Sequence, residues 1–183
     1  MTKRTFTSAQ FHAIFGHQYS MDHRAMIQTD LASASAVLSY EGRPDAGMLA
    51  WLDSQELKQW WRADTAMIEP FEGGMFFLTW KEGMSDKQHA LYGIVEKVDT
   101  ENNIIDITKI MYVSPFLKIG HIHLHLQFEY EGMNRTKMTM VNRHNCSGQL
   151  LHLYNNTILD AWPKAMDLLK KYLENKLQPF SSC

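Results

Sequence analysis

QLLHLYNNTILDAWPKAMDLLKKYLE, residues Gln149 to Glu174, reads as one long amphipathic helix. Leu150, Tyr154, Ile158, Ala161, Ala165, Leu168 and Tyr172 recur in steps of three and four, which keeps them on one face. Leu151, Trp162, Leu169 and Leu173 widen that stripe, and Asn156, Asp160, Lys164, Asp167, Lys171 and Glu174 fall opposite. Asp160 with Lys164, and Asp167 with Lys171, are acid-before-base pairs at a favourable spacing. At the usual rise such a helix is about 39 Å long. It is too apolar to stand alone in water, so the rest of the chain must cover it. Pro163 lies inside it, removes one backbone hydrogen bond and predicts a kink.

Outward from the helix the hydrophobic period changes to two. Arg135 to Asn142 and His121 to Tyr130 read as strands joined by a tight Gly132-Met133-Asn134 loop. Ser114-Pro115 separates them from a strand over Ile104 to Tyr112, where Ile105, Ile107 and Met111 oppose Asp106 and Thr108. Further back come a turn at Asp99 to Asn103, a strand over Gln88 to Val98, and a polar turn at Glu82 to Lys87. Met75 to Lys81 carries Phe76, Leu78 and Trp80 on one side, and Gly73-Gly74 turns back to a strand over Ala66 to Phe71.

Two short helices precede this run. Pro44 suits the first helical position of one, which carries Met48, Leu49, Trp51 and Leu52 and ends near Asp53. Ser54 is the expected cap of the next, Gln55 to Trp61. Ser33 to Glu41 is the first strand, with Ala36, Leu38 and Tyr40 on one side and Gly42 ending it. Residues 1–32, with Phe6, Phe11, Ile14 and Phe15, are expected to be an N-terminal extension, residues 33–176 one domain, and 177–183 a tail. The order predicts an α+β fold: a curved antiparallel sheet of about six to seven strands on a long C-terminal helix, with two short helices after the first strand. Curvature would leave a cavity between sheet and helix.

Length and composition fit one globular domain: 183 residues, 45% apolar and 21% charged. A net charge of -2 without a basic block argues against nucleic acid. The apolar runs are too short to span a bilayer, and no signal-peptide core follows Lys3 and Arg4. Two cysteines, Cys146 and Cys183, make no disulfide framework, so a cytoplasmic setting is expected. The chain lacks a P-loop, a dinucleotide glycine fingerprint and a CxxC motif, and no cofactor is expected.

Several local words, taken in order, resemble the SRPBCC (START/Bet v 1-like) superfamily and its Aha1-like branch, named after the activator of Hsp90 ATPase. They are Leu52-Asp53 to Trp60-Trp61, Gly73-Gly74-Met75-Phe76, Tyr92-Gly93-Ile94-Val95, Thr136 to His144, and Ala161-Trp162 through Leu168 to Glu174. The resemblance covers about residues 33 to 175. It implies a helix-grip fold with a deep, largely apolar cavity. It implies no single activity, because members bind lipids, hormones or polyketides, some catalyse cyclisation, and some act on chaperones. Two departures are Ala161, where the family has glycine, and Pro163.

Three groups carry candidate chemistry. His121, His123 and His125 alternate with Ile122, Leu124 and Leu126, which places the imidazoles on one face of a strand, about 6.6 Å apart. Two such histidines can share a zinc ion. If Tyr112 pairs near Ile119, Asp106 lies across from His125, and the Gly132 hairpin puts Arg143 across from His123. The cation opposes a metal, and the apolar residues should take the core face, so a solvated or subunit-contact histidine face is expected and no metal. Lys109 is in phase with Ile105, Ile107 and Met111 and is expected to point inward. His144, in phase with Met138 and Met140, is expected at the cavity edge, where His152 and Tyr92 could join it. Cys146 follows His144 closely, but no orienting group completes a nucleophile, and no catalytic residue is assigned.

The leading expectation is a non-enzymatic protein that binds a small hydrophobic or amphipathic ligand. Its cavity would be lined by Trp51, Phe76, Leu78, Trp80, Tyr92, Ile107, Leu124, Met138, Met140, Ile158 and Trp162, with Lys109 and His144 orienting the ligand. One alternative is a cyclase- or hydrolase-like enzyme using the same cavity. The other is a protein-interaction, chaperone-regulating module. A homodimer is compatible with all three.

Overall fold

The computed structural model describes residues 28–29, 33–81, 88–115, 118–144 and 149–177, and in 28–29, 149–160 and 177 the backbone alone. The expectations for Phe6, Phe11, Ile14, Phe15, Cys146 and Cys183, and for the side chains of His152 and Ile158, lie outside the described residues.

The strands are β1 (Gln28–Thr29), β2 (Ser33–Glu41), β3 (Thr65–Ile68), β4 (Met75–Lys81), β5 (Gln88–Asp99), β6 (Ile104–Val113), β7 (Lys118–Tyr130) and β8 (Arg135–His144). The helices are α1 (Pro44–Leu52), α2 (Ser54–Trp61) and α3 (Gln149–Leu177). The strands form one sheet in the order β1-β2-β8-β7-β6-β5-β4-β3, and every neighbouring pair is antiparallel. Most links are hairpins, and the β2–β8 pairing brings the first long strand beside the last. The sheet is curved, with α3 on its inner face, and this is the helix-grip architecture. No helix among the described residues is long and apolar enough to cross a membrane.

Alternation explains the core. Ala34, Ala36, Leu38 and Tyr40 of β2, and Phe76, Leu78 and Trp80 of β4, are buried while their neighbours face outward. Ala165, Met166, Leu169 and Leu173 of α3 close the same core. Gly47 lets α1 approach it: a Cβ there would stand 2.8 Å from the Phe128 ring and collide with the Tyr40 hydroxyl.

Two local expectations are corrected. The cap of α2 is Asp53, whose Oδ1 accepts from the amides of Gln55 (2.8 Å) and Glu56 (2.9 Å). Ser54 Oγ accepts instead from the Ile68 amide at 2.9 Å and ties α2 to β3. The strand expected over Ala66 to Phe71 stops at Ile68, and Phe71 lies in the turn before β4.

Candidate functional site

The sheet's interior is not uniform along its strands. At one end β4, β6 and β8 finish and β5, β7 and β2 begin. His89, beginning β5, is paired in register with Trp80 of β4. Its Nδ1 is hydrogen bonded to the Tyr112 hydroxyl of β6 at 2.7 Å. Asn142 and His144, ending β8, are paired with Leu124 and Ile122 of β7. His89, Asn142 and His144 are 7%, 2% and 7% exposed, so three polar side chains are buried at this one end. The remaining buried polar side chain among the described residues, Thr136, is at the other end and donates to the Gly42 carbonyl at 2.7 Å.

Trp51, Phe76, Leu78, Ile107 and Met138 have no accessible surface, and Leu124 and Met140 almost none. The first five serve as core. Small accessible areas remain at both ends, at Trp80, Ile119 and Ile122 where His89 and His144 lie and at Leu38 and Ile68 toward the other. Leu91 and Tyr112 are only partly buried.

All five tryptophans of the chain join in one cluster beside this region. Trp60 and Trp61 stack at 4.7 Å, Trp51 lies 5.0 and 5.4 Å from them, and Trp61 lies 5.6 Å from Trp80 and 5.7 Å from Trp162. Trp60 Nε1 donates to the Ala50 carbonyl at 2.7 Å and Trp80 Nε1 to the Trp61 carbonyl at 3.2 Å. The cluster joins α1, α2, β4 and α3. Tyr172 of α3 adds a polar tie, donating to Glu56 Oε2 of α2 at 2.6 Å. Burial, and then the Glu56 carboxylate it serves, raise the pKa of Tyr172.

Two expected site residues are turned away from the interior. Lys109 is exposed rather than inward. The β6–β7 register shifts between Ile107 and Ile110, Lys109 takes a φ of 52°, and Ile110 occupies the buried position. A bulge reverses the alternation from which the inward reading came. Tyr92 is 38% exposed on the outer face, where its hydroxyl contacts Met111 Sδ at 3.4 Å. Its neighbours Leu91 and Gly93 take the inner phase.

The expected histidine row is on the outer face in part. Ile122, Leu124, Leu126 and Phe128 are buried, and His123 and His125 face out. Asp106 pairs with His125, Arg143 with His123, and Tyr112 with Ile119, as the sequence register predicts. Asp106 Oδ1 lies 2.8 Å from His125 Nδ1 and 3.1 Å from His123 Nε2. His121, with a φ of 60°, is exposed and unmatched in the β6–β7 register. Among the described residues no group of three histidine, cysteine or acidic side chains is arranged to hold a metal.

Sequence reading missed His89, Tyr112 and Asn142. His89 was recoverable, because it shares a phase with Leu91 and Val95. Tyr112 was not, because its face depends on the bulges in β6.

Comparison with solved structures places the architecture. The chain is similar to protein Ms6760 from Mycobacterium smegmatis, with 14% identity, a TM-score of 0.65, and 84% of this chain and 99% of that chain covered. It is similar to protein NE0264 from Nitrosomonas europaea at 12% identity and a TM-score of 0.65, over 81% of this chain and 98% of that one. A protein from Arthrobacter aurescens, solved by NMR, is similar at 15% identity and a TM-score of 0.65, over 86% and 98%. At these identities the likeness concerns the fold. No curated protein matches the sequence. The family model described as "Activator of Hsp90 ATPase homolog 1-like protein" matches residues 49–174, which run from α1 into the last turns of α3. The chain belongs to the Activator of Hsp90 ATPase homolog 1-like protein family.

Proposed function

We propose that the protein binds a small hydrophobic or amphipathic molecule on the inner face of the sheet, at the end marked by His89 and His144. One observation carries this reading: of the four buried polar side chains described, three, His89, Asn142 and His144, lie at one end of the sheet's otherwise apolar inner face. Burying a polar group costs stability unless it is hydrogen bonded, as His89 is to Tyr112. Binding sites combine an apolar wall with a few polar groups that fix orientation. Trp80, Leu91, Ile119 and Ile122 are the wall, whereas the fully buried core is scaffold. Of the residues expected from sequence, Trp80 and His144 remain in this proposal, and Lys109 and Tyr92 leave it.

Native mass spectrometry of the purified protein, with extraction of whatever is bound, tests the reading. Amide and indole NMR shifts on adding the extracted molecule should concentrate at Trp80, His89, Leu91 and Ile119. Shifts confined to the outer face would refute it.

A second reading, regulation of a protein partner, is supported by an apolar strip on the outer face. Met67, Phe77, Tyr92 and Met111 are successive register partners across β3 to β6, and Met67 and Tyr92 are exposed. Tyr92→Asp would abolish partner binding under this reading and leave ligand binding intact.

A further inference from the structure

The first long strand is paired on one side only along most of its length. β8 runs beside all of β2, from Ser33 to Glu41, whereas β1 pairs with Ala34 and Ser35 alone. Among the described residues no strand lies against Ala36 to Glu41 on the side away from β8. The ladder fixes which groups are left there. The Gly42 amide donates to the Asn134 carbonyl at 2.7 Å, in line with the β2–β8 register. In an antiparallel ladder the pairs that exchange hydrogen bonds alternate with pairs that do not. The even-numbered residues of β2 therefore bond to β8, and Val37, Ser39 and Glu41 turn their amides and carbonyls to the open edge. Gln28 of β1 meets Ser35 in the same odd-numbered phase. The side chains suit a further strand. Val37 is 37% exposed on the outer face, and on the inner face Ala36, Leu38 and Tyr40 are buried up to the edge. Neither proline nor lysine, residues that commonly blunt an open edge, occurs between Ser33 and Glu41. Nearby, Glu131 is held by Arg135 at 3.2 Å, while Glu41 is exposed and has no ion pair among the described residues.

We propose that this edge is a docking site for the chain's own Arg24-Ala25-Met26-Ile27, which runs directly into β1 and continues its register along β2. Carried back from Thr29 opposite Ala34 and Gln28 opposite Ser35, that register sets Ile27 opposite Ala36, Met26 opposite Val37, Ala25 opposite Leu38 and Arg24 opposite Ser39. Alternation then puts Ile27 and Ala25 beside the apolar inner residues and Met26 beside the exposed Val37. Arg24 falls on the outer face diagonal to Glu41, within reach of a long side chain. Two residues further back, Asp22 would stand opposite Glu41, a like-charged pair that ends the strand. A segment already joined to a paired strand closes no new loop when it docks. The segment is a strap: with it in place β2 is an interior strand, and a strand of another molecule has no room to join there.

NMR of the full chain tests this. Ala25 with Leu38, and Ile27 with Ala36, are the pairs that exchange no hydrogen bonds, so their α-carbons should lie about 4.5 Å apart and their α-protons should give direct contacts. The Val37 and Ser39 amides should be protected from exchange. Two proline variants check the phase. Met26→Pro removes an amide aimed at Val37 and should speed exchange of Val37 and Ser39 roughly tenfold, the effect of about one hydrogen bond. Ala25→Pro removes an amide aimed away from β2 and should leave both within about twofold. The near-UV signal of the tryptophan cluster shows that the core of each variant is intact, and the α-proton contacts need no variant at all. Absence of those contacts, or free exchange of Val37 and Ser39 in the parent, overturns the proposal. An equal response to the two prolines overturns the register on which it rests. Protection that falls on dilution assigns the edge to a second copy of the chain and overturns the strap.

Discussion

Gly93 of β5 lies directly beneath Ile110 of β6: a Cβ on Gly93 would stand 2.8 Å from Ile110 Cγ1 and 2.9 Å from the Thr108 carbonyl oxygen. The bare backbone lets the bulge that turns Lys109 outward settle onto β5. Gly93→Ala should force the strands apart and lower stability by about 1–3 kcal/mol, as overpacking does. Gly120→Ala is the control, since its Cβ would meet only the flexible Met111 side chain at 3.3 Å. Urea midpoints should fall clearly for the first variant and much less for the second.

Asp53 and Ser54 are adjacent but serve different elements. Asp53→Ala removes the two-amide cap of α2 and should cost about 1 kcal/mol. Ser54→Ala leaves that cap and frees the Ile68 amide, at a similar cost of about 0.5–1.5 kcal/mol. Hydrogen exchange separates them. Asp53→Ala should speed Gln55 and Glu56, and Ser54→Ala should speed Ile68.

The polar tie between α2 and α3 centres on the Glu56 carboxylate, with Gln59 Oε1 also 3.3 Å from the Tyr172 hydroxyl. Glu56 accepts from Tyr172 and from Lys176, which also lies 5.8 Å over the Tyr172 ring. Tyr172→Phe keeps the ring and its cation contact and removes the hydroxyl. It should cost about 1 kcal/mol and accelerate amide exchange in the last turns of α3. Unchanged exchange there would show that the core residues of α3 hold its end unaided.

Tyr40 gives the chain an alkaline limit. It is buried, its hydroxyl donates to the Arg43 carbonyl at 3.2 Å, and burial pushes its pKa up to about 12. The folded state thus keeps this proton where the unfolded chain, titrating near 10, has released it. Its contribution is fully present below pH about 10 and is lost as pH rises through about 12. Tyr172 is shifted in the same direction. Denaturation midpoints should decline over this range, and the decline should be shallower in Tyr40→Phe than in the parent. An equal decline in both would assign the effect to other groups.

Most of the architecture was legible because alternation and helical spacing are direct consequences of backbone geometry. Phe76, Leu78 and Trp80 are buried where their period put them, and the hairpin at Gly132 set the pairing of His123 with Arg143. The site was less legible. Lys109 and Tyr112 change faces because bulges alter the count between Ile107 and Tyr112, and no residue type announces a bulge there. Asp53 outcompeted Ser54 as a cap although both are good capping residues. The tryptophans were recognisable as apolar, but their convergence on Trp61 depends on how α1, α2 and α3 meet.

The strand lengths, read across the sheet from β1, are 2, 9, 10, 13, 10, 12, 7 and 4 residues. The sheet tapers to both sides, and its longest strand is near the middle. Unpaired amides and carbonyls at a sheet's margin are templates on which a foreign strand can grow. Here β1 pairs only with Ala34 and Ser35, so among the described strands β2 from Ala36 to Glu41 is itself the margin on that side. At the other margin the four residues of β3 cover Phe76 to Thr79 of β4, so growth by addition of further strands, the route to fibrils, has less backbone to start from there than along β2.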